Sequence, residues 1–552
     1  SPTLKEGVPD AEFDIDDADE RWEDYRGYSG WWSTGGVRTQ FTEKDLIDLI
    51  PLRVNIPAMT KDLAGTRLRL RMDYAGPEHP QLEIYPNLSP SNNRIQFLTD
   101  KATAEAQVKR NRKFTIWTPF ALDRDRPEVD LLDLLPIGTQ HQTGDRELLI
   151  QATGSGSVTL RLTVLLSSYT GSNEIPVDSC TLTLTEPAAL YSLASSRGDP
   201  DSLMGEMAGT FQYPTDDDRI VPSPEYSWRV VRDVHDPTTR STLVFVHGYN
   251  VNLQQAQDTF DEVFKRTYWA GFRGNFVGFT WHGDQTQITF RGKSFAPGFN
   301  ANQLNAFETS PAFYKFLRSI ASTWGELTFA DIDVMAHSLG NQVMWDAMRI
   351  AAWKDSNPLF NNAISVQAAI WQEAFEPEGL LHYVHPSDEV YYLAHELQRM
   401  SWRSWFNQPG HSPLLALTGT AYNNYVPDDH ALETMRFNDR LWSESHYDRH
   451  VGAPYRTPQT LAYLPTLMQK DKRYLLQESR TYQTGQLNQA IGTMENDMEG
   501  VVDIPARNLG WRAGEHSDFR AADDEKRYYF ADIYPWYYEL FEGKEALPRG
   551  KD

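Results

Sequence analysis

The stretch Ile332-Asp-Val-Met-Ala-His-Ser-Leu-Gly-Asn-Gln342 joins an apolar run to a helical pattern through a turn of small residues. Residues 332–335 predict a buried strand, and residues 342–353 predict the helix that follows it. Between them, Ala336-His-Ser-Leu-Gly340 has the spacing small-x-Ser-x-Gly, in which small residues allow strand and helix to approach closely. The pattern predicts that Ser338 is a nucleophile on a sharp turn. An ordinary helix-capping serine is the alternative.

Apolar runs alternate with helical stretches on both sides of this turn, which is typical of parallel strands joined by crossover helices. The predicted elements are strands at 243–246, 276–279, 363–366 and 414–420 and helices at 254–268 and 312–324. Repeated units of this kind predict a doubly wound, mostly parallel α/β sheet over residues 241–552.

A second turn of small residues, His247-Gly-Tyr-Asn250, follows the predicted strand at 243–246. Such a turn after an early strand offers a backbone N–H to a developing oxyanion, here that of Tyr249. The amide of Leu339, beside Ser338 at the predicted helix N-terminus, is the second candidate donor. A glycine turn without such a role is the alternative.

A serine nucleophile needs a base, and the base needs an acid that orients it. Asp428 and Asp429 follow the predicted strand at 414–420, at the edge where ligands and catalytic groups gather in open α/β sheets. Asp429 is the preferred acid, and Asp428 is the first alternative. Surface acids without a role are the second.

His516 is the candidate base, because it is the only histidine between the predicted last strand at 501–504 and the C-terminus. A surface histidine without a role is the alternative. His446 and His450 lie four residues apart and could share one side of a helix as metal ligands, but no third ligand is apparent near them. The expected site is therefore a triad of Ser338, Asp429 and His516, with no metal and no other cofactor.

Residues 241–552 resemble the α/β-hydrolase superfamily, and most closely a poorly characterised bacterial branch of it. The resemblance rests on Val-His-Gly-Tyr-Asn at 246–250, Phe-Thr-Trp at 279–281 and Ala-His-Ser-Leu-Gly-Asn at 336–341. In the superfamily, the sharp turn that carries the serine usually has the pattern Gly-x-Ser-x-Gly. Ala336 replaces its first glycine, a change that the superfamily tolerates. The resemblance implies a serine hydrolase, similar to esterases and lipases, that cleaves carboxylic esters through an acyl-enzyme.

Two alternatives to ester hydrolysis stay open. Amidases, thioesterases, peptidases and acyltransferases share this triad. A binding or adhesion protein could instead use the N-terminal half of the chain and keep the hydrolase-like half as a scaffold. The complete order Ser, Asp, His argues against a scaffold, because a scaffold need not retain three residues in register.

Residues 371–411 are too long for a simple connection and predict a cap insertion over the nucleophile. Its aromatic residues, Trp371 among them, and Trp281 at a strand end are candidate substrate-binding residues for an apolar acyl group. The alternative is that these aromatics only pack the insertion onto the sheet. A small-molecule or polymeric ester is the expected substrate.

Residues 46–186 show an apolar period of two, broken by clusters of Gly, Pro, Asn and Asp, which predicts an antiparallel β-sandwich. The pattern contains no convincing amphipathic helix and no catalytic constellation. Residues 187–240, rich in Pro, Asp and Ser, are expected to connect the two halves. We therefore expect residues 241–552 alone to hydrolyse small esters.

The first 45 residues are predicted to form an acidic leader. Ten acidic and two basic side chains stand among the first 25 residues, a composition typical of a solvated, extended segment. A calcium site at Asp14, Asp16, Asp17 and Asp19 is the alternative, although the turn glycine and distal glutamate of an EF-hand loop are missing.

The whole-chain composition excludes several classes of function. A formal net charge of −24 over 552 residues argues against nucleic acid as a partner. No apolar run is long enough to predict a membrane span. The single Cys180 excludes an intrachain disulfide and a cysteine zinc site. Together with the sandwich, these features favour a secreted or surface enzyme of bacteria over a cytoplasmic one; they predict no oligomeric state.

Overall fold

The computed structural model describes residues 46–56, 66–74, 76–89, 93–112, 120–130, 144–168, 171–197, 228–249, 251–283, 288–290, 293–295, 299–324, 327–354, 357–370, 372–375, 406, 410–427, 429, 432, 490–496, 498–506, 516 and 530–541. Several predictions concern residues outside these ranges, namely the leader 1–45, Trp371, Asp428, His446, His450 and most of the insertion at 371–411.

The N-terminal part consists of two antiparallel sheets that share one apolar core. Its strands are β1 (Ile50–Ile56), β2 (Thr66–Tyr74), β3 (Gln81–Pro86), β4 (Phe120–Leu122), β5 (Glu128–Asp130), β6 (Gly144–Thr153), β7 (Gly156–Ser168) and β8 (Gly171–Leu184). The strand orders are β1-β6-β3-β4 and β5-β2-β7-β8. Alternate side chains of both sheets, such as Leu70, Leu148 and Leu160, are buried together, so the period of two produces the expected sandwich.

Two helices lie between β3 and β4, where no amphipathic helix was expected. They are α1 (Gln96–Thr99) and α2 (Lys101–Arg112). The sequence of α2, Lys-Ala-Thr-Ala-Glu-Ala-Gln-Val-Lys-Arg-Asn-Arg, is mostly polar, so its apolar period is faint. Its start is instead marked by Asp100, whose carboxylate accepts from the Thr103 amide at 2.9 Å and the Thr103 hydroxyl at 2.7 Å.

The second part is built on an eight-stranded sheet of the order β10-β9-β12-β11-β15-β16-β17-β18. These strands are β9 (Ser192–Ser195), β10 (Arg229–Arg232), β11 (Thr242–Val246), β12 (Asn275–Thr280), β15 (Ile332–His337), β16 (Ala363–Val366), β17 (Ala421–Tyr425) and β18 (Val501–Pro505). Every pair is parallel except β10 with β9. A separate hairpin-like pair joins β13 (Ile288–Phe290) and β14 (Lys293–Phe295). The mostly parallel α/β sheet is the fold expected from the sequence.

The described residues of this part include four α-helices: α3 (Leu253–Trp269), α4 (Phe299–Thr323), α5 (Gly340–Lys354) and α6 (Phe530–Phe541). Asn252 caps α3 by accepting from the Gln255 amide at 2.9 Å, while the Gln255 side chain returns a bond to the Asn252 amide at 3.0 Å. No helix among those described has both the length and the apolar character needed to cross a bilayer.

The segment 187–240 is more than the connection that was expected. It contributes β9 and β10 to the large sheet, with β9 pairing directly with β12. Both strands have only four residues, too short for a clear period in a stretch rich in Pro, Asp and Ser. The large sheet therefore begins about fifty residues before position 241.

The strand that precedes the candidate acid also differs from its expected position. Residues 413–416 form a 3₁₀ helix with Pro413 in its first turn, and the strand is β17, at Ala421–Tyr425. Its sequence, Ala-Tyr-Asn-Asn-Tyr, lacks the apolar run of a buried strand. The two asparagines are buried because they are hydrogen-bonded: Asn423 to the Asp503 carboxylate at 2.8 Å and Asn424 to the Ser365 carbonyl at 3.0 Å.

The two parts of the molecule share a second core. Side chains before β1 and in α1, including Ile47 and Phe97, are buried in one cluster with side chains of α3 and α6. At the same place, the Lys265 ammonium lies 2.8 Å from the Asp48 carboxylate, and the Trp269 indole donates to the Ile47 carbonyl at 2.8 Å. The large sheet and the sandwich are thus joined by buried apolar and charged contacts.

Candidate active site

Ser338 stands on a sharp turn between β15 and α5. Its backbone φ is 50°, in the left-handed region that residues other than glycine rarely adopt. Its amide donates to the Val366 carbonyl at 3.0 Å, and its carbonyl accepts from the Ala369 amide at 3.1 Å. The neighbouring strand β16 and the chain that follows it therefore hold the turn in this conformation.

Small residues at the turn let two segments of backbone meet. A Cβ at Gly340 would lie 2.4 Å from the His247 carbonyl oxygen, and a Cβ at Gly248 would lie 2.9 Å from the Ser338 Cβ. The buried amide of Asn341 fastens the elbow further by donating to the Ala336 carbonyl at 2.8 Å. The serine turn and the His-Gly turn, far apart in the chain, are in direct contact.

The structure brings Ser338, His516 and Asp429 into one chain of hydrogen bonds. His516 Nε2 lies 2.8 Å from Ser338 Oγ, and His516 Nδ1 lies 2.7 Å from Asp429 Oδ2. The carboxylate can only accept, so Nδ1 carries the proton and Nε2 is free to accept from the serine hydroxyl. Asp429 is fully buried, and the imidazole is partly open to solvent.

Two residues that were not predicted hold the base and the acid. Gln367, directly after β16, donates from Nε2 to Asp429 Oδ2 at 2.6 Å. His337 Nε2 bonds to the backbone carbonyl of His516 at 2.8 Å, and the two imidazole rings lie 4.8 Å apart. His337 stands inside the Ser338 pattern and Gln367 at a strand end on the same edge, but their partners are far away in the sequence.

The candidate oxyanion donors adjoin the nucleophile. Leu339 is the residue between Ser338 and the first residue of α5. Tyr249 follows Gly248. A Cβ added at Gly248 would lie 2.9 Å from the Ser338 Cβ and 3.0 Å from His337 Nδ1. Their roles as oxyanion donors stay predictions.

A buried network supports the His-Gly turn from below. His247 Nδ1 donates to the Gly248 carbonyl at 2.9 Å, and its Nε2 accepts from the Trp281 amide at 3.2 Å and lies 3.0 Å from the Thr280 hydroxyl. The Thr280 hydroxyl in turn accepts from Arg197 Nε at 2.8 Å. Nothing in the sequence marked Arg197, because it follows β9 in the segment taken for a connection.

Trp281 packs beneath the same turn. Its ring is stacked on that of His247 with centroids 5.7 Å apart, and its indole N–H donates to the His247 carbonyl at 2.9 Å. The side chain is fully buried, so it supports the turn directly. Contact with substrate by Trp281 stays a prediction.

Within the insertion at 371–411, Ala374, Phe375 and Phe406 belong to the core. Phe375 and Phe406 are fully buried and contact Trp345 of α5, with ring centroids 4.9 and 5.9 Å from it. The contacts of these two aromatics are packing contacts with helix α5 and with each other. Across the described ranges, no group of three His, Cys, Asp or Glu side chains is arranged to hold a metal ion.

Residues 225–372 match the family described as "Alpha/beta hydrolase of unknown function". Together with the sheet order, this match identifies the fold. The chain has the α/β-hydrolase fold. The matched residues include the His-Gly turn and Ser338, whereas Asp429 and His516 lie beyond them. A search of curated proteins gave no match.

Solved structures similar to this chain include two peptidases and an esterase. An acylaminoacyl peptidase from Pyrococcus horikoshii is 13% identical, with a TM-score of 0.24, over 71% of this chain and 49% of its own. An esterase from the bacterial hormone-sensitive lipase family is 13% identical, with a TM-score of 0.23, over 62% and 98%. Prolyl endopeptidases are 9% identical, with a TM-score of 0.23, over 70% and 45%. This chain thus spans about half the length of the two peptidases.

Proposed function

We propose that this α/β-hydrolase is a serine hydrolase that cleaves carboxylic esters with Ser338 as nucleophile, His516 as base and Asp429 as the acid that orients the base. The observation that carries the proposal is the unbroken chain of hydrogen bonds, 2.8 Å from Ser338 to His516 and 2.7 Å from His516 to Asp429. Nucleophile and base lie at the separation needed for proton transfer.

The geometry supports a two-step acyl transfer. As Ser338 Oγ attacks the ester carbonyl, its proton passes to His516 Nε2, and the imidazolium is stabilised by the Asp429 carboxylate. We propose that the backbone amides of Leu339 and Tyr249 donate hydrogen bonds to the oxyanion. His516 then gives its proton to the departing alcohol, and water, deprotonated by the same imidazole, releases the acid and regenerates Ser338.

The first experiment asks whether Ser338 is the nucleophile. The full chain is treated with a fluorophosphonate probe, the labelled peptide is identified by mass spectrometry, and hydrolysis of p-nitrophenyl esters is followed in parallel. We expect the label on Ser338 and a Ser338→Ala variant that folds but has lost hydrolysis by several orders of magnitude.

Ser310→Ala is the matched control, because Ser310 is also a buried serine but its hydroxyl only donates to the Ala306 carbonyl within α4, at 2.9 Å. Its activity should equal that of the unaltered chain. Retention of most ester hydrolysis by Ser338→Ala, or a label on another residue, contradicts the proposal. Absence of labelling in the folded chain would favour a binding protein with a hydrolase scaffold.

A substrate series determines which acyl groups and which leaving groups the site prefers. Esters of increasing chain length measure the acyl pocket, and p-nitroanilides and thioesters of the same acyl groups measure the leaving-group preference. Ester specificity predicts the highest kcat/KM for the oxygen esters. A higher kcat/KM for anilides or thioesters would assign the site to an amidase or a thioesterase.

A further inference from the structure

Asp429 Oδ2 accepts two hydrogen bonds rather than one. His516 Nδ1 lies at 2.7 Å and Gln367 Nε2 at 2.6 Å from the same oxygen, while the Leu432 amide donates to Oδ1 at 3.0 Å. Gln367 and Asp429 are both fully buried. The amide of Gln367 therefore competes directly with the imidazole for the electron density of that carboxylate oxygen.

The backbone of Gln367 is held in place for this contact. Its φ is 43°, and together with Ser338 it makes up the described non-glycine residues with a positive φ. Its amide donates to the Asn424 carbonyl at 2.9 Å, and the chain at Gly492 lies so close that a Cβ there would be 2.4 Å from the Gln367 carbonyl carbon. Left-handed backbone of this kind costs energy and is concentrated at functional sites.

We propose that Gln367 is a positioning residue that shares Asp429 Oδ2 with His516, fixes the carboxylate for the base and restrains the stabilisation of protonated His516. The inference rests on the proposed function, because it assigns Gln367 a task only if His516 is the base. The role assigned to Gln367 acts through Asp429 and His516 and not on the reacting atoms.

The electrostatic effect has a definite sign. A carboxylate stabilises the imidazolium beside it, and an amide donor on the same oxygen takes up part of that stabilising charge. Without the donor, the imidazolium is more stable, so His516 stays protonated up to a higher pH. A protonated His516 cannot accept the Ser338 proton, so the reaction rate falls at low pH. This low-pH part of the pH–rate profile, the acid limb, should therefore move to higher pH when the donor is removed.

The test measures the rate of fluorophosphonate labelling of the full chain as a function of pH. Gln367→Met removes the donor at nearly constant volume. We expect its acid limb to move upward by about half to one pH unit and its plateau rate to fall about tenfold, as for loss of one hydrogen bond to a charged group.

Two further variants separate this role from a loss of packing. Gln367→Asn keeps an amide and suits a positive φ, but it is one methylene too short to reach Asp429, so its acid limb should also move upward. Asn423→Leu is the matched control, because it removes a buried amide that donates to another carboxylate, that of Asp503, at 2.8 Å. Its acid limb should stay in place even if its stability falls.

His337 is a second titratable side chain that contacts His516, at 4.8 Å between ring centroids. The profile is therefore repeated with His337→Asn, in which Gln367→Met should still move the limb upward. An unmoved limb in Gln367→Met, or an equal movement in Asn423→Leu, overturns the role of Gln367. Labelling of Ser338→Ala at the same rate would instead overturn the proposed function itself.

Discussion

Ser338 and Gln367 occupy left-handed backbone at the ends of two adjacent strands, β15 and β16, with φ of 50° and 43°. Each such residue costs roughly 1–3 kcal/mol. The surrounding sheet compensates, since both amides bond to carbonyls of the next strand or its extension, at Val366 and Asn424. At the scale of single residues, the candidate site thus contains two strained backbone positions at one edge of the sheet. Hydrogen bonds to the backbone of neighbouring strands hold both of them in place.

Asp429 is predicted to be the acid and Asp428 to be dispensable. Asp429→Asn should lower kcat/KM by about four orders of magnitude, because an amide facing His516 favours the wrong tautomer. Its carboxylate is buried and accepts from His516, Gln367 and the Leu432 amide. Asp428→Asn serves as the adjacent control and should change kcat/KM less than about twofold, because the proposed triad gives Asp428 no role. A larger loss for Asp428→Asn would transfer the acid role to that residue.

At the scale of elements, the two helices between β3 and β4 connect the sandwich to helix α6. Helices α1 and α2 contact α6, and the Lys101 ammonium lies 2.9 Å from the Asp532 carboxylate. The start of α2 depends on Asp100, which accepts both the amide and the hydroxyl of Thr103. Loss of this cap should therefore loosen the contact between α2 and α6 as well as α2 itself.

The Asp100 cap predicts a pH-dependent stability. The Thr103 hydroxyl, followed by the Thr103 amide, holds the pKa of the Asp100 carboxyl below its ordinary value of 3.8. A lowered folded-state pKa stabilises the fold above the unfolded value, and this contribution is lost as the pH falls through the folded value. Asp100→Ala should destabilise α2 by about 1 kcal/mol at neutral pH and by less below pH of about 3.8.

Hydrogen exchange of the amides of residues 101–107 at several pH values measures this effect. Asp100→Asn is the matched control, because asparagine retains a capping oxygen without the charge. Equal protection of these amides in Asp100→Ala and in the unaltered chain at neutral pH would show that the cap contributes nothing.

At the scale of the whole molecule, the two parts are not separate units. Lys265 of α3 lies 2.8 Å from Asp48 and 2.9 Å from Glu262, which also pairs with Arg266, and all four side chains are buried. Leu46 and Ile47, next to Asp48, are buried in the same core as α3 and α6. Removing the N-terminal part would leave this lysine without its buried Asp48 partner and expose apolar surface.

A chain of residues 241–552 is accordingly expected to aggregate and to lack fluorophosphonate labelling, in contrast to the expectation from the sequence. It would lose β9 and β10, leave the edge of β12 unpaired, and uncover the core shared with the sandwich. Size-exclusion chromatography and labelling of residues 46–552, which lack only the leader, provide the comparison. A monodisperse, labelled 241–552 chain would restore the idea of an independent catalytic domain.

The predictable part of the fold is the part with a local signature. The period of two in the sandwich and the mostly apolar runs at β11, β12 and β15 arise from burial of one or both strand faces, so they are visible in neighbouring residues. The α2 helix, β9 and β17 were missed or displaced because they are short or polar and depend on partners elsewhere. Asn423 and Asn424 can be buried in β17 only because Asp503 and Ser365 accept their hydrogen bonds.

The sequence alone determined the kind of sheet, the sharp turn at Ser338 and the order in which Ser338, Asp429 and His516 follow one another. These depend on local pattern, on small residues at a turn and on the position of polar groups after strands. Only the tertiary structure decided that His337 meets the carbonyl of His516, 179 residues away, and that Gln367 meets the carboxylate of Asp429, 62 residues away. Such contacts follow from the pairing of distant strands at one sheet edge, which leaves no trace in the spacing of neighbouring residues.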